Sequence, residues 1–135
     1  MKKHSGSVLV TIIATILTSI AFTSSAQTIA EQQQLLVRRP WHIIQDKMTG
    51  IGRHKSMNEN SKITFTDSGT WICTDPIENE KEGTWWIKET GILYMKPGKN
   101  GSPIKCEILI LNEDALRFKF KALTSVRTME WESDE

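Results

Sequence analysis

The sequence predicts an all-β fold, an eight-stranded up-and-down antiparallel barrel. From Trp41 onward, short runs rich in Ile, Trp, Thr, Phe and Val alternate with turn-forming residues, and each run has the length of a strand. Eight strands in a meander close naturally into a barrel, because closure removes the exposed edges. The runs cover residues 41–48, 62–67, 69–75, 83–89, 91–96, 104–111, 115–121 and 125–132.

Residues 1–26 read as a secretory signal peptide. Two lysines near the start precede an apolar stretch from Val8 to Phe22, and small residues then lead to a cleavage site before Gln27. A membrane anchor is the alternative, but the dense apolar part has about 15 residues, fewer than the roughly 20 that span a bilayer. No cysteine follows for lipid attachment. We expect a secreted or periplasmic protein with no stable membrane anchor after cleavage.

Cleavage leaves 109 residues, which is enough for one domain. They include 15 basic and 16 acidic residues, so the net charge is close to −1. Nucleic-acid binding would need a clustered basic excess, and we expect no such partner. All five tryptophans lie in this part and can build a core without a metal. We expect the domain to be monomeric.

Residues 27–40 precede the barrel domain, 41–135. They are polar and rich in glutamine, and form either a loose leader or one short helix beside the domain. Pro40 ends any such helix, because it pushes Arg39 out of the helical region.

The clearest strand is Leu116–Lys121, in which apolar and basic residues alternate strictly. Such a strand has one buried and one solvated face. Residues 104–110 alternate in the same way, with three isoleucines and Cys106 against Lys105 and Glu107.

The connections between the predicted strands are of two kinds. Those after the even-numbered strands are short and hold Gly, Asp and Asn, which suit tight hairpins. Three of those after odd-numbered strands are longer: 49–61, 76–82 and 97–103. One end of the barrel should therefore be closed by tight turns, and the other should be a mouth ringed by loops. The longest loop, 49–61, could act as a flap over this mouth.

Four segments carry a family resemblance. They are Trp41 at the start of the first strand, ITFTDSGT at 63–70, Gly83-Thr84-Trp85, and EILILNEDALRF at 107–118. With them the chain resembles the lipocalin-like families of small secreted bacterial proteins, most of them uncharacterised. The resemblance covers the whole domain after the signal peptide.

Two departures separate the chain from true lipocalins, which open with Gly-x-Trp and place an arginine late in the last strand over that tryptophan. Here Arg39 replaces the glycine, Trp131 stands where the arginine should be, and Arg127 comes early in the strand. We therefore do not transfer lipocalin ligands. Trp41 and Trp131 are instead expected to plug the tight-turn end of the barrel.

Five aromatic residues are expected to point into the barrel, and an eight-stranded barrel is either filled by side chains or holds one small ligand. The aromatics are therefore either a packed core or the lining of a ligand cavity. They are Phe65, Trp71, Trp85, Phe118 and Phe120. In the pair Trp85-Trp86, adjacent residues face opposite ways, so one must point outward.

Cys73 and Cys106 are both expected near the mouth, but on strands three apart. A disulfide needs their Cα atoms within about 7 Å, which only a flattened barrel would allow. The alternative is that each is a small buried hydrophobic residue.

Catalytic and metal-binding patterns are absent from the sequence. The part after the signal peptide has only His42 and His54, no zinc-ligand spacing and no glycine-rich phosphate loop. Glu78, Glu80 and Glu82 are best explained as a solvated loop. We expect no enzymatic activity, no metal and no cofactor.

The leading functional hypothesis is a non-enzymatic binding protein that takes a small apolar ligand through the mouth. The alternative is a protein-binding module, such as an inhibitor of a secreted protease. In that case the leader at 27–40 or the mouth loops would enter the target.

Overall fold

A computed structural model describes residues 27–51, 57–75, 80–122 and 124–134. The predicted signal peptide, 1–26, lies outside these residues. Nine elements follow in chain order: α1 (Ile29–Arg38), β1 (Trp41–Gly50), β2 (Lys62–Phe65), β3 (Thr70–Thr74), β4 (Lys81–Glu89), β5 (Ile92–Pro97), β6 (Ile104–Leu111), β7 (Ala115–Ala122) and β8 (Ser125–Ser133). Within the described ranges, no helix is both long and apolar enough to cross a bilayer.

The eight strands form a closed antiparallel barrel in sequence order. Each strand pairs with the next, and β8 returns to β1 along a register that runs from Trp41 opposite Ser133 to Gly50 opposite Ser125. The prediction of an eight-stranded up-and-down barrel is therefore confirmed. Gly69 and Gly91 lie in two of the tight turns with φ values of 87° and 82°, a conformation in which a glycine carries no steric cost.

The segment before the barrel is the short helix α1 rather than a loose leader. Thr28 caps its first turn, accepting a hydrogen bond from the backbone N–H of Glu31, whose carboxylate in turn accepts from the backbone N–H of Thr28. This reciprocal capping box satisfies two of the N–H groups that a helix start leaves unpaired. The helix ends before Pro40, with Arg39 in an extended conformation.

Helix α1 lies across the tight-turn end of the barrel. Its Leu36 is fully buried. The Gln32 side chain accepts a hydrogen bond of 2.9 Å from the backbone N–H of Gly91, in the β4–β5 turn. At the β6–β7 turn, Arg38 forms an ion pair of 2.6 Å with Glu113. Because these contacts reach two separate turns, the helix covers this end of the barrel.

Trp41 and Trp131 lie on neighbouring strands beneath the helix, and each is only 1% exposed. Trp131 is opposite Ile43 in the register of β1 and β8. The Nε1–H of Trp41 donates a hydrogen bond of 3.1 Å to the carbonyl of Leu36. The first strand is thereby joined to the helix that precedes it.

The core consists of the inward-facing side chains of all eight strands together with Leu36. Its buried strand residues are Trp41, Ile43, Ile63, Phe65, Trp71, Cys73, Trp85, Ile87, Leu93, Met95, Cys106, Leu111, Leu116, Phe118, Met129 and Trp131. Gly83 faces Trp71 across the β3–β4 pair. A Cβ at Gly83 would clash with the backbone carbonyl of Lys96 on β5 and lie 2.7 Å from the indole ring, so a larger residue there would displace both β5 and Trp71.

β-Bulges change which residues face inward. In β6 the register shifts between Ile108 and Ile110, and Ile110 consequently lies opposite Arg117 on the outer face. The prediction that the alternation over residues 104–110 places all three isoleucines on one buried face was therefore wrong at Ile110. A bulge inserts one extra residue, which reverses the side-chain direction beyond it.

Candidate functional site

An opening between β6 and β7 interrupts the wall of the barrel in its mouth half. The two strands pair from Leu111 opposite Leu116 to Glu107 opposite Lys119. Beyond this point β6 extends to Ile104 and β7 to Ala122, without pairing to each other. The wall is therefore open between residues 104–106 of β6 and residues 120–122 of β7.

A cleft of about 780 Å³ occupies this opening. Its apolar lining is Ile92, Pro103, Ile104, Phe120, Ala122 and Val126, and its charged lining is Lys105, Glu107, Lys119 and Lys121. Strand alternation separates the two groups along β6 and β7. Ile104 shares a face with buried Cys106, and Phe120 with buried Phe118, whereas the lysines face outward. The cleft thus runs from the outer surface to side chains of the barrel interior.

A buried ion pair lies inside the mouth, next to the cleft. The Nε of Arg127 donates to Oδ1 of Asp46 over 2.8 Å, and Nη2 donates to Oδ2. The Asp46 side chain is 1% exposed and that of Arg127 is 27% exposed. The hydrogen bond to Asp46 raises the pKa of Arg127 above its ordinary value. The guanidinium lies 6.0 Å from the centre of the Phe120 ring, a cation–π distance.

The same carboxylate holds part of the loop between β1 and β2. The backbone N–H of Met57 donates a hydrogen bond of 2.9 Å to Oδ2 of Asp46. Residues 52–56, the middle of the predicted flap, lie outside the described residues, and His54 is among them. The described end of this loop is therefore connected to the ion pair inside the mouth.

The structure divides the five aromatics considered as ligand contacts. Phe120 lines the cleft, while Phe65, Trp71, Trp85 and Phe118 belong to the buried core. Phe65 and Trp85 form an edge-to-face pair with ring centres 5.6 Å apart, and Nε1 of Trp85 donates to the carbonyl of Thr66. All four are buried members of the core cluster, whereas Phe120 is half-buried and packs against that cluster.

Trp86 is the outward member of the Trp85-Trp86 pair, as the alternation predicts. It is 37% exposed and stacks on Tyr94, with ring centres 5.5 Å apart and planes 6° apart. Tyr94 in turn lies opposite Lys105 in the β5–β6 register. The outer face beside the cleft thus carries an aromatic pair.

The two cysteines are free and buried, so the considered disulfide is not formed. Cys73 on β3 lies opposite Ile63 and Lys81, and Cys106 on β6 lies opposite Leu93. Two whole strands, β4 and β5, separate the two thiols along the barrel wall. The structure therefore agrees with the second of the two predictions, in which each cysteine is a small buried hydrophobic residue.

Both thiols are expected to be unreactive in the native protein. Burial raises the pKa of Cys106 to about 12, and burial also raises the pKa of Cys73. Little reactive thiolate therefore exists near neutral pH. A chromogenic disulfide reagent should show no reaction with native protein and two thiols in denatured, unreduced protein. A failure to recover both thiols after denaturation would indicate a disulfide instead.

A surface depression at the tight-turn end is lined by His42, Asp114, Glu132, Ser133 and Asp134. His42 lies 3.4 Å from Glu132 at the surface of the tight-turn end. Across residues 27–51, 57–75, 80–122 and 124–134, no three His, Cys, Asp or Glu side chains are grouped to hold a metal ion.

Sequence reasoning found Phe120 of this site but missed the opening in the wall and the buried ion pair. The outward direction of Lys119 and Lys121 was visible in the alternation of β7, but the separation of β6 from β7 was not. The pairing of Asp46 with Arg127 had no sequence signal, because it joins the two ends of the domain. Neither the family models nor the curated proteins compared with this chain include a match to it.

Proposed function

We propose that the protein is an exported, non-enzymatic binding protein that takes a small apolar ligand into the β6–β7 cleft. The observation that carries the proposal is the cleft itself, an apolar-lined opening of about 780 Å³. Binding sites for small molecules typically measure about 300–1,000 Å³ and combine apolar lining with a few polar groups. The predicted signal peptide supports a role outside the cytoplasm.

The physical reason for binding is the apolar surface left open between the two strands. Ile104 and Phe120 belong to the inward-facing sets of β6 and β7, yet both are only half-buried. A ligand that covers them, together with Val126, would remove apolar surface from water and gain the corresponding free energy.

Native mass spectrometry of the purified protein after incubation with a lipid extract tests the proposal. We expect a mass adduct that organic extraction removes. Substituting Ala122→Trp should fill the cleft and abolish the adduct. Ala30→Trp, on the exposed face of α1, is the matched control and should keep it. No adduct on the wild-type protein, or equal adducts on both variants, would contradict binding in the cleft.

A second candidate function, protein binding, is favoured by the exposed stack of Trp86 on Tyr94, since large aromatics are enriched at protein interfaces. The version in which residues 27–40 enter a target requires α1 to leave the barrel. This departure of α1 would expose Leu36 and break the hydrogen bond between Gln32 and Gly91. Binding through the outer aromatic pair would be lost in Trp86→Ala and retained in Ala122→Trp.

A further inference from the structure

The rim of the cleft carries positive charge that its neighbours do not neutralise. Lys105 on β6 and Lys119 and Lys121 on β7 all line it. Lys119 lies 3.5 Å from Glu107, the one acidic side chain among the described residues that line the cleft. Lys105 and Lys121 form no ion pair with any residue in the described part of the chain. Two free ammonium groups therefore border an apolar floor.

The two lysines lie on opposite walls of the cleft. Lys105 precedes Cys106 on β6, and Lys121 follows Phe120 on β7. Both are exposed, while the apolar floor between them contains Ile104 and Phe120. Val126 lies opposite Lys121 on the outer face and forms part of the rim. A molecule with its apolar part on this floor would have any polar end close to one or both ammonium groups.

From this arrangement we infer that the ligand is an anionic amphiphile, an aliphatic chain with an anionic head group. The inference rests on the proposed function and specifies its ligand class. The chain lies on the apolar floor, and the anionic head group pairs with Lys105 and Lys121. Lysine ammonium groups are flexible point charges without the fixed fork of arginine. They can therefore pair with a carboxylate, a sulfate or a phosphate head group.

Three amphiphiles of equal chain length, decanoate, decanol and decylammonium, separate head-group recognition from apolar binding. Each is titrated into the purified protein by isothermal calorimetry, decanoate and decylammonium below their micelle concentrations and decanol below its solubility limit. We expect decanoate to bind about tenfold more tightly than decanol, as two exposed ion pairs allow, and decylammonium to bind most weakly. The preference for decanoate should shrink between about 20 mM and about 300 mM salt, because salt screens exposed charges.

Variants locate the effect on the rim. Lys105→Glu with Lys121→Glu should remove the preference for decanoate over decanol and leave decanol binding unchanged. A single Lys121→Glu variant, with a smaller loss of preference, provides the comparison if the double variant unfolds. Lys88→Glu is the matched control, since Lys88 is exposed and lies on β4 near the tight-turn end. It should behave as the wild-type protein.

The outcomes distinguish the inference from the proposed function. Decanol that binds as tightly as decanoate would overturn the inference and leave an apolar site. A decanoate preference that Lys88→Glu reduces as strongly as the rim variants would overturn it too, since the preference would then follow net charge. Binding of none of the three, with binding of an extended acidic peptide, would overturn both in favour of a peptide groove.

Discussion

Replacing Arg127 by methionine is expected to lower the free energy of unfolding by about 2–4 kcal/mol. The substitution keeps the aliphatic part of the side chain but leaves the carboxylate of Asp46, which is 1% exposed, without its bidentate partner. An unpaired buried charge is among the most destabilising changes in a protein interior. Breaking a fully buried ion pair costs about 3–5 kcal/mol. The loss expected here is somewhat smaller because the Arg127 side chain is 27% exposed. Denaturant unfolding followed by tryptophan fluorescence measures it.

The loss should be smaller in acid. Burial without the guanidinium disfavours the charged form of a carboxyl group, and protonation removes that charge, so the difference from the wild-type protein should shrink as the pH is lowered. A second substitution, Asp46→Asn in the Arg127→Met background, should recover most of the stability. It removes the charge while keeping an oxygen that can accept the N–H of Met57.

Arg117→Met is the matched control for this substitution. Arg117 of β7 pairs with Glu130 of β8 over 3.1 Å on the outer face of the barrel, whereas Asp46 and Arg127 join β1 and β8 on the inner face. Both side chains of this pair remain in contact with water, at 38% and 28% exposure, whereas Asp46 is 1% exposed. Solvated ion pairs contribute about 0–1 kcal/mol, so the control should change stability little. An equal loss in the two variants, or a loss in Arg127→Met that does not depend on pH, would show that the buried charge is not the cause.

Replacing Trp41 by alanine is expected to destabilise the protein by about 3–5 kcal/mol. Trp41 is 1% exposed, and it packs where β1 begins, next to Leu36 of α1. Its removal would leave a cavity between the helix and the barrel, and would end the hydrogen bond that joins them. The helix should therefore become more susceptible to proteolysis than the strands.

Phenylalanine substitutions separate the packing of the two plug tryptophans from their hydrogen bonds. Nε1 of Trp41 donates to the Leu36 carbonyl over 3.1 Å. In the described part of the chain, Nε1 of Trp131 has no hydrogen-bond partner. Trp41→Phe should therefore cost about 1 kcal/mol more than Trp131→Phe, since only the first breaks a buried hydrogen bond. Equal losses in denaturant unfolding would contradict this difference.

The strand order, the strand positions and the tight turns could be predicted from the sequence because they depend on local patterns. Alternating apolar residues and turn-forming residues act over a few positions, as in Leu116–Lys121 and the turn at Gly91. For residues 27–40 the sequence left a helix and a loose leader as alternatives. The helix is stabilised by the capping residues Thr28 and Glu31 and also by burial of Leu36 against the barrel, and this second contribution is a tertiary contact.

The candidate site depended on register, which sequence alternation does not contain. The register of β1 shifts between Ile43 and Gln45, so Asp46 faces inward together with Met129 opposite it. Strict alternation from Trp41 would have placed Asp46 outside. The same holds for the cleft, which exists because β6 and β7 stop pairing beyond Glu107 and Lys119.

The sequence by itself thus determined the barrel, its two unlike ends and the outward direction of the lysines on β7. Only the tertiary structure decided that Asp46 and Arg127 meet inside the mouth, that Cys73 and Cys106 remain apart, and where the wall opens. The physical reason is distance along the chain. Side-chain alternation follows from backbone geometry within one strand, whereas a bulge, a split between strands or a buried ion pair is set by contacts between residues far apart in sequence.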